Sequence, residues 1–411
     1  MVKIQELPHR ELLVEVGRIA QRFGTRTFLV GGPVRDLLLG QPSPDCDIAV
    51  EARLPELGNE LARKLSGRFV FHRRFLTATI TLPDGRHIDL AQTRTESYPK
   101  PAQLPLVRPA SIEQDLGRRD FTINALALEL SPANFGQLLA PHNGQADLRA
   151  RLVRVLHPKS FIDDPTRVFR AIRFAVRLGF AIEPETLRLM RESVSDRYPA
   201  LLTPERILAE LRLICSERLV LPIFEAVVSE GVLQAAWPWR PAADLLPGLA
   251  KLVQSRAGPD LVYLFLLARL PVTDRFPIKR EEWEAMQAIN DFGRVRTWVL
   301  QARRLSRLYR LLHRLPERAL LVLRVLEPPA VAERIDRYLR ELAGVTTVVT
   351  GRDLARLGLR PGPSYRRVLN AVLWAKLDKR VRSPEDELNM ARWWVARLKK
   401  RTYPTSRALR W

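Results

Sequence analysis

A chain of 411 residues with 46% hydrophobic side chains has the material for roughly two to four domains with real cores. Its two cysteines, Cys46 and Cys215, exclude a disulfide framework and a zinc site, and no apolar run approaches the ~18 residues of a membrane span. A formal charge of +22 implies a polyanionic partner; with no membrane signal and charges where a signal peptide needs apolar residues, nucleic acid in a reducing cytoplasm is expected.

In chain order, Phe28–Val30 reads as the first strand, Gly31-Gly32 as a turn and "VRDLLLG" as a short helix. Ile48–Val50 is a second strand and Leu57–Leu65 a helix; Arg68–Phe71, Ala78–Leu82 and His87–Leu90 are further strands. The last two flank Pro83-Asp84-Gly85-Arg86, a hairpin turn. After about residue 155 helical periods dominate: Val168–Leu178, Glu205–Cys215, Trp283–Ile289, Thr297–Leu312, Tyr365–Lys376 and Glu385–Lys400. "LVYLFLLA" (Leu261–Ala268) has the length of a core helix. Breaks lie near Ala235–Gly248 and Val348–Asp353. The expectation is an α+β protein: a small α/β head with a short mixed sheet at 1–155, then an elongated all-helical neck (156–235), body (236–345) and tail (346–411).

The chemistry starts at "FLVGGPVRDLLLGQPSPDCDIAV", Phe28–Val50. Glycines after a strand let a backbone approach phosphate oxygens, and Arg35 in the following helix adds a charged donor. Side chains alternate along a strand, so Asp45 and Asp47 share a face while Cys46 points into the core. Two carboxylates side by side repel unless a cation lies between them, and Mg²⁺ accepts one or two carboxylates plus substrate phosphates. A triphosphate turn beside two such acids describes metal-dependent nucleotidyl transfer.

"GGPVRDLLLG…DCDIAV" resembles the GGxVRD…DxD signature of the class II tRNA nucleotidyltransferases, the CCA-adding enzymes and their bacterial poly(A) polymerase relatives. Phe75–Pro99 is similar to that family's head hairpin and the flexible loop after it; "RRDFTINALAL" (Arg118–Leu128), "DDPTRVFRAIRFAVRLGF" (Asp163–Phe180) and "TPERILAELRLI" (Thr203–Ile214) follow in the family's order. Val348–Leu377 is similar to the tail of the short CCA enzymes. The resemblance implies that Asp45 and Asp47 are catalytic and hold Mg²⁺. It implies nucleotide contacts for Gly31, Gly32, Arg35, Arg119, Asp120, Asn124, Asp164, Arg167, Arg170 and Arg173. Arg118 is expected to contact backbone or tRNA, Arg177 is given no role, and Asp89 is a candidate third acid. Asp163 stands where the family has Glu.

Chemistry makes its own case for Asp164 and Arg167, three apart on one helix face with Pro165 at the helix start and Asp164 as N-cap. A carboxylate accepts from an exocyclic amine and a guanidinium donates to a ring nitrogen or carbonyl. Cytosine and adenine carry that amine; uracil and guanine would turn a carbonyl oxygen toward the carboxylate. ATP and CTP are therefore the expected substrates, and the resemblance implies a tRNA 3′ end as the acceptor. Arg303, Arg307, Arg310 and Arg314 fall on one stripe of the expected helix Thr297–Leu312 and its end, opposite Leu305, Leu308 and Leu312. With Lys399, Lys400 and Arg401 they are the candidate RNA contacts. Trp393 and Trp394 read as packing residues. The expected activity is CCA addition; the alternatives are an A-adding enzyme, a poly(A) polymerase and an inactive RNA-binding protein. A CC-only enzyme would have a shortened loop, whereas Arg94–Asp120 is full length.

Overall fold

The run Thr27–Val30 forms strand β1, and all four of its side chains are buried, as a strand covered on both faces requires. The structure, a computed structural model, describes residues 5, 7–41, 43, 45–73, 75–237, 240–273 and 276–402, without the side chains of 400–402. The chain divides into two units, residues 1–240 and 241–411.

The first unit begins with α1 (Arg10–Arg22), β1, α2 (Gly32–Leu38), β2 (Asp47–Val50), α3 (Leu54–Lys64), β3 (Arg68–His72), β4 (Thr77–Thr81) and β5 (His87–Gln92). The ribbon β6 (Arg94–Ser97) with β7 (Leu106–Pro109) follows, then α4 (Ile112–Gly117), β8 (Ala127–Glu129) and β9 (Leu138–Leu139). Seven of these strands form a mixed sheet, ordered β3-β4-β5-β2-β1-β8-β9, in which β2 and β5 run parallel. The five expected strands all form, with ends that differ by one or two residues. β8 and β9 were not anticipated: at three and two residues they are too short to show a period of two.

Register decides which side chains share a face. Leu29 pairs with Ile48, Ile48 with Leu90, Leu90 with Ala78 and Ile88 with Ile80, an apolar face continued by Phe69 opposite Ile80. Helix α3 covers it so closely that a Cβ on Gly58 would meet the Phe69 ring at 2.2 Å. The other face carries Phe28, Val30 and Ala49, which pack on Ile112 and Leu116 of α4. Asp47, two residues from Ala49, lies on this second face beside Asp89, its partner in register.

The remainder of the first unit is helical apart from short bridging strands: α5 (Gly144–Ala150), α6 (Ser160–Asp163), α7 (Thr166–Leu178), α8 (Pro184–Ser195), α9 (Pro204–Cys215), then Val220–Ser229 and Val232–Ala236. The second unit has no strand among its described residues. Its helix Pro259–Arg269 buries every side chain from Val262 to Ala268, and none of its helices is long and apolar enough to cross a membrane.

One expected helix is corrected. Thr297–Leu312 is two helices, Gly293–Leu300 and Leu305–Leu312, with Arg304 extended between them. The second helix starts where Asp378 accepts from Ser306 N–H and Oγ, both at 2.9 Å. Arg334 takes the freed carbonyls of Ala302 and Leu300 at 2.8 and 3.3 Å. Both partners come from distant sequence, so local periodicity cannot show the break. Asp378→Ala is expected to cost about 1–2 kcal/mol in chemical denaturation; an unchanged midpoint would show that Asp378 is not the cap.

Candidate active site

Helix α7 builds one wall of the site. Arg170, Arg173, Phe174 and Arg177 fall at i, i+3, i+4 and i+7, a single face. The Phe174 ring is their hub: the guanidinium carbons of Arg35, Arg170, Arg173 and Arg177 lie 5.2, 5.4, 5.0 and 5.4 Å from its centroid. Arg177, expected to have no role, thus belongs to the wall, and the spacing from Arg170 was the signal for it.

The wall faces a cleft of about 530 Å³, a size suited to a small-molecule ligand. All twelve residues expected to be catalytic or nucleotide-binding line it: Asp45, Asp47, Gly31, Gly32, Arg35, Arg119, Asp120, Asn124, Asp164, Arg167, Arg170 and Arg173. Glu96, Tyr98 and Arg118 line it too. The first two come from the β6–β7 ribbon region, which the resemblance cast as a flexible loop. In the structure the ribbon makes hydrogen bonds to α4 and the residue after it: Arg118 donates to Glu96 at 2.7 Å and to Asp115 at 2.9 Å, and Arg94 N–H donates to Asp115 at 3.2 Å.

The two glycines differ. Gly31 has φ +75°, and a Cβ there would meet Arg119 Nη1 at 2.8 Å. At Gly32 the nearest atom is Arg35 Nη2 at 3.6 Å, an ordinary contact, so the protein itself would tolerate a side chain; the cleft keeps that space open. Arg35 is 2% exposed and already braced, donating to Asp36 at 2.7 Å and to Asn124 Oδ1 at 2.6 Å.

Asp120 is the centre of a buried network. Its Oδ1 accepts from Phe121 N–H at 2.8 Å and Asn124 Nδ2 at 3.0 Å; its Oδ2 accepts from Arg170 at 2.9 and 2.6 Å. Burial alone would raise its pKa, but Arg170 and the Asn124 hydrogen bond bring it down to about 2. The 3₁₀ turn Thr122–Asn124 is capped at Phe121, so Asp120 lies just before it. Asp164 lies one residue before Pro165, the N-cap position of α7, yet does the capping: its Oδ1 accepts from Thr166 N–H at 3.0 Å. That oxygen also takes Arg206 Nη2 at 2.6 Å, a contact sequence reasoning missed. Arg167 is buried, donating to Ser160 Oγ at 2.7 Å and the Arg118 carbonyl at 2.9 Å.

Charge pairing separates two acids from the others. Asp36, Glu96, Asp120 and Asp164 each have an arginine, at 2.7, 2.7, 2.6 and 2.6 Å. Asp45 and Asp47 make no ion pair among the described residues. Asp47 keeps exposed surface at the strand end, but partial desolvation, then repulsion from Asp89 and Asp45, raises its pKa, and Arg119 offsets only part of this. A carboxylate pair short of positive charge at the edge of a polar cleft fits a divalent cation. Asp89 is held by Thr79 Oγ1 at 2.8 Å, and no group of three or more His, Cys, Asp or Glu among the described residues is arranged to hold a metal. The pair would therefore need phosphate oxygens to complete a shell.

Residues 27–154 match the Poly A polymerase head domain. The A-adding tRNA nucleotidyltransferase of Halalkalibacterium halodurans is 32% identical over 394 residues, covering 93% of this chain and 92% of that relative. The chain belongs to the tRNA nucleotidyltransferase family. A CC-adding tRNA nucleotidyltransferase of Deinococcus radiodurans is 35% identical over 88% of each chain. The Thermotoga maritima CCA-adding enzyme, solved in complex with tRNA, superposes with a TM-score of 0.69 at 28% identity, covering 95% of each chain.

In this tRNA nucleotidyltransferase the candidate RNA-binding arginines do not form one helical stripe. Arg307 and Arg310 lie on helix Leu305–Leu312, Arg303 precedes it and Arg314 follows it. All four are exposed. Arg303, Arg307 and Arg310 line a cavity with Arg304, Arg334 and Arg380, and Arg310 stacks 4.9 Å from the Trp374 ring centroid. Lys399 is exposed, and the side chains of Lys400 and Arg401 lie outside the described residues. Trp394 packs in the tail cluster as expected, whereas Trp393 is 55% exposed, with Arg397 against its ring.

Proposed function

We propose that this enzyme adds C and A, without a nucleic-acid template, to the 3′ end of tRNA from CTP and ATP. The 3′-oxygen bonds to the α-phosphorus, the bond to the β-phosphate oxygen breaks, pyrophosphate leaves with that electron pair, and the hydroxyl proton passes to solvent. Asp45 and Asp47 would hold Mg²⁺, whose charge, when bound, favours the ionised hydroxyl and the departing pyrophosphate. The arginines around Phe174 supply the remaining positive charge for the triphosphate.

The observation that carries the base choice is Asp164. One carboxylate oxygen is fixed by Thr166 and Arg206, and Oδ2 makes no hydrogen bond among the described residues at the edge of the cleft. A fixed acceptor beside Arg167 suits the amine of cytosine or adenine. Asp164→Ala should lower kcat/KM for CTP and ATP by about tenfold to a hundredfold, the value of one bidentate base contact, and raise UTP and GTP use relative to them. If activity falls but the ranking of the four bases stays, Asp164 is only a helix cap.

A second reading, addition of A alone, is favoured by the near full-length match to an A-adding relative. Three tRNAs, ending before CCA, at C and at CC, offered with labelled CTP and ATP separately, decide between them. Extension of only the CC-ended tRNA, and only by ATP, overturns CCA addition. The charge of +22 and the exposed arginines of the second unit support tRNA as the acceptor. Affinity for tRNA should fall steeply with salt as phosphate counterions are released; a flat salt profile would assign that charge elsewhere.

A further inference from the structure

The four arginines around Phe174 are not held alike. Arg35 donates to Asp36 at 2.7 and 3.0 Å and to Asn124 at 2.6 Å, and Arg170 donates to Asp120 at 2.9 and 2.6 Å. Arg173 and Arg177 instead share one atom. Both donate to Glu217 Oε1, at 3.1 and 3.5 Å, and neither guanidinium makes another hydrogen bond among the described residues. Their other carboxylates, Glu210 for Arg173 and Asp36 for Arg177, stand off at 3.8 and 3.9 Å. Glu217 follows α9 by two residues, where its N–H donates to the Ile214 carbonyl at 3.0 Å. It does not line the cleft, although both arginines do. Its Oε2 makes no hydrogen bond among the described residues.

We propose that Glu217 is a positioning residue for the nucleotide: from outside the cleft, its one oxygen sets the Arg173 and Arg177 guanidiniums to receive phosphate oxygens. The proposal rests on the reading of the cleft as a triphosphate site. On that reading the α-phosphate belongs at Asp45 and Asp47, which leaves the phosphates beyond it to the arginine wall. A guanidinium stacked on a ring is held near the ring face but is free to turn in its own plane. A shared acceptor on Glu217 fixes that turn for both arginines before the ligand arrives, and so removes an ordering cost from the binding step. A single bond to Glu217 also leaves most N–H donors of each guanidinium for the ligand.

Two substitutions separate the bond from the charge. Glu217→Gln keeps an acceptor oxygen for both arginines and puts its NH2 where Oε2 has no bond to lose; Glu217→Ala removes the acceptor. The probes are ATP and AMP, which lacks the phosphates beyond the first, measured by equilibrium dialysis with Mg²⁺ on the full chain. ATP serves because both readings of the activity use it. Glu217→Ala should weaken ATP binding roughly tenfold, the effect of a lost hydrogen bond between charged groups, and leave AMP binding within about twofold. Glu217→Gln should stay within about threefold of wild type for both probes. Arg177→Ala, at a side chain 34% exposed, should show the same selective loss and does not depend on how Glu217→Ala folds. Equal weakening of ATP and AMP overturns the proposal, because Glu217 would then only hold the fold. Glu217→Gln as weak as Glu217→Ala overturns it too, since the charge and not the bond would be what counts. So does ATP binding at the wild-type value, or tighter, in Glu217→Ala or Arg177→Ala. Failure of the triphosphate reading is seen separately, as a wild type that binds ATP no tighter than AMP.

Discussion

Asp47→Asn and Asp45→Ala are expected to reduce nucleotide addition by about 10³-fold or more, because a metal at a phosphoryl centre supplies several kcal/mol of transition-state stabilisation. Binding of tRNA should change by less than about twofold, since its charge complement is the arginine-rich surface and not these two acids. Single-turnover addition of ATP, beside a tRNA affinity measurement on the same protein, checks both halves. Substantial activity in either variant would remove the metal assignment.

The same substitution should stabilise the metal-free protein. The raised Asp47 pKa means that the fold disfavours the ionised carboxylate, through partial desolvation of a side chain that still keeps exposed surface and then through the neighbouring acids, so the effect is a small one. Below the unfolded-state pKa the group is neutral and costs nothing. As pH rises from the unfolded-state pKa to the raised folded one, the unfolded chain ionises first and stability is eroded. Asp47→Asn removes it. At pH 7 without divalent ions the variant should therefore melt higher than wild type, and the gap should close as pH falls through the carboxylate range. Mg²⁺ should raise the wild-type melting temperature and leave Asp47→Asn almost unmoved. A variant that melts lower than wild type in EDTA would contradict the repulsion.

The parts legible in the sequence were those set by neighbours along the chain. β1, the glycine turn and the acidic strand follow from alternation and backbone freedom over about twenty residues. The Arg170–Arg173–Phe174–Arg177 face was equally readable from its spacing, but Arg177 was passed over because helix position alone did not reveal Phe174 as the hub. What could not be read is where a side chain meets a partner from distant sequence. Arg35 looked like a free phosphate donor; Asn124, from far along the chain, braces it. Asp164 looked like one member of a pair with Arg167; Arg206 holds it, and Arg206 also grips the Ala102 carbonyl at 2.8 Å. The single helix expected at Thr297–Leu312 failed for the same reason, through Asp378 and Arg334.

Asp120 makes the strongest case that such a network is structural as well as chemical. Asp120→Ala would leave Phe121 N–H and Asn124 without an acceptor and Arg170 without its carboxylate, all around a residue 8% exposed. Removing one partner of a buried pair costs about 3–5 kcal/mol. Because Arg170 borders the cleft and water can reach it, the low end is expected. Asp120→Asn keeps one acceptor oxygen but loses the charge and sets an amide NH2 donor where the other oxygen accepted, so its cost should be smaller than that of Asp120→Ala and should depend on pH. Asp120 has a folded pKa of about 2, below its unfolded value. Its contribution is therefore fully present above the unfolded pKa and is lost as pH falls through the folded one, an effect of roughly 2–3 kcal/mol. Urea denaturation at pH 7 should separate wild type from Asp120→Asn by about that amount, and the separation should shrink steadily between about pH 4 and pH 2. Nucleotide addition should fall in both variants, since Arg170 and the Asn124–Arg35 contact lose their common anchor. Equal midpoints for wild type and Asp120→Asn at pH 7 would mean that the Arg170 pair contributes nothing to the fold, and that the carboxylate serves the nucleotide alone.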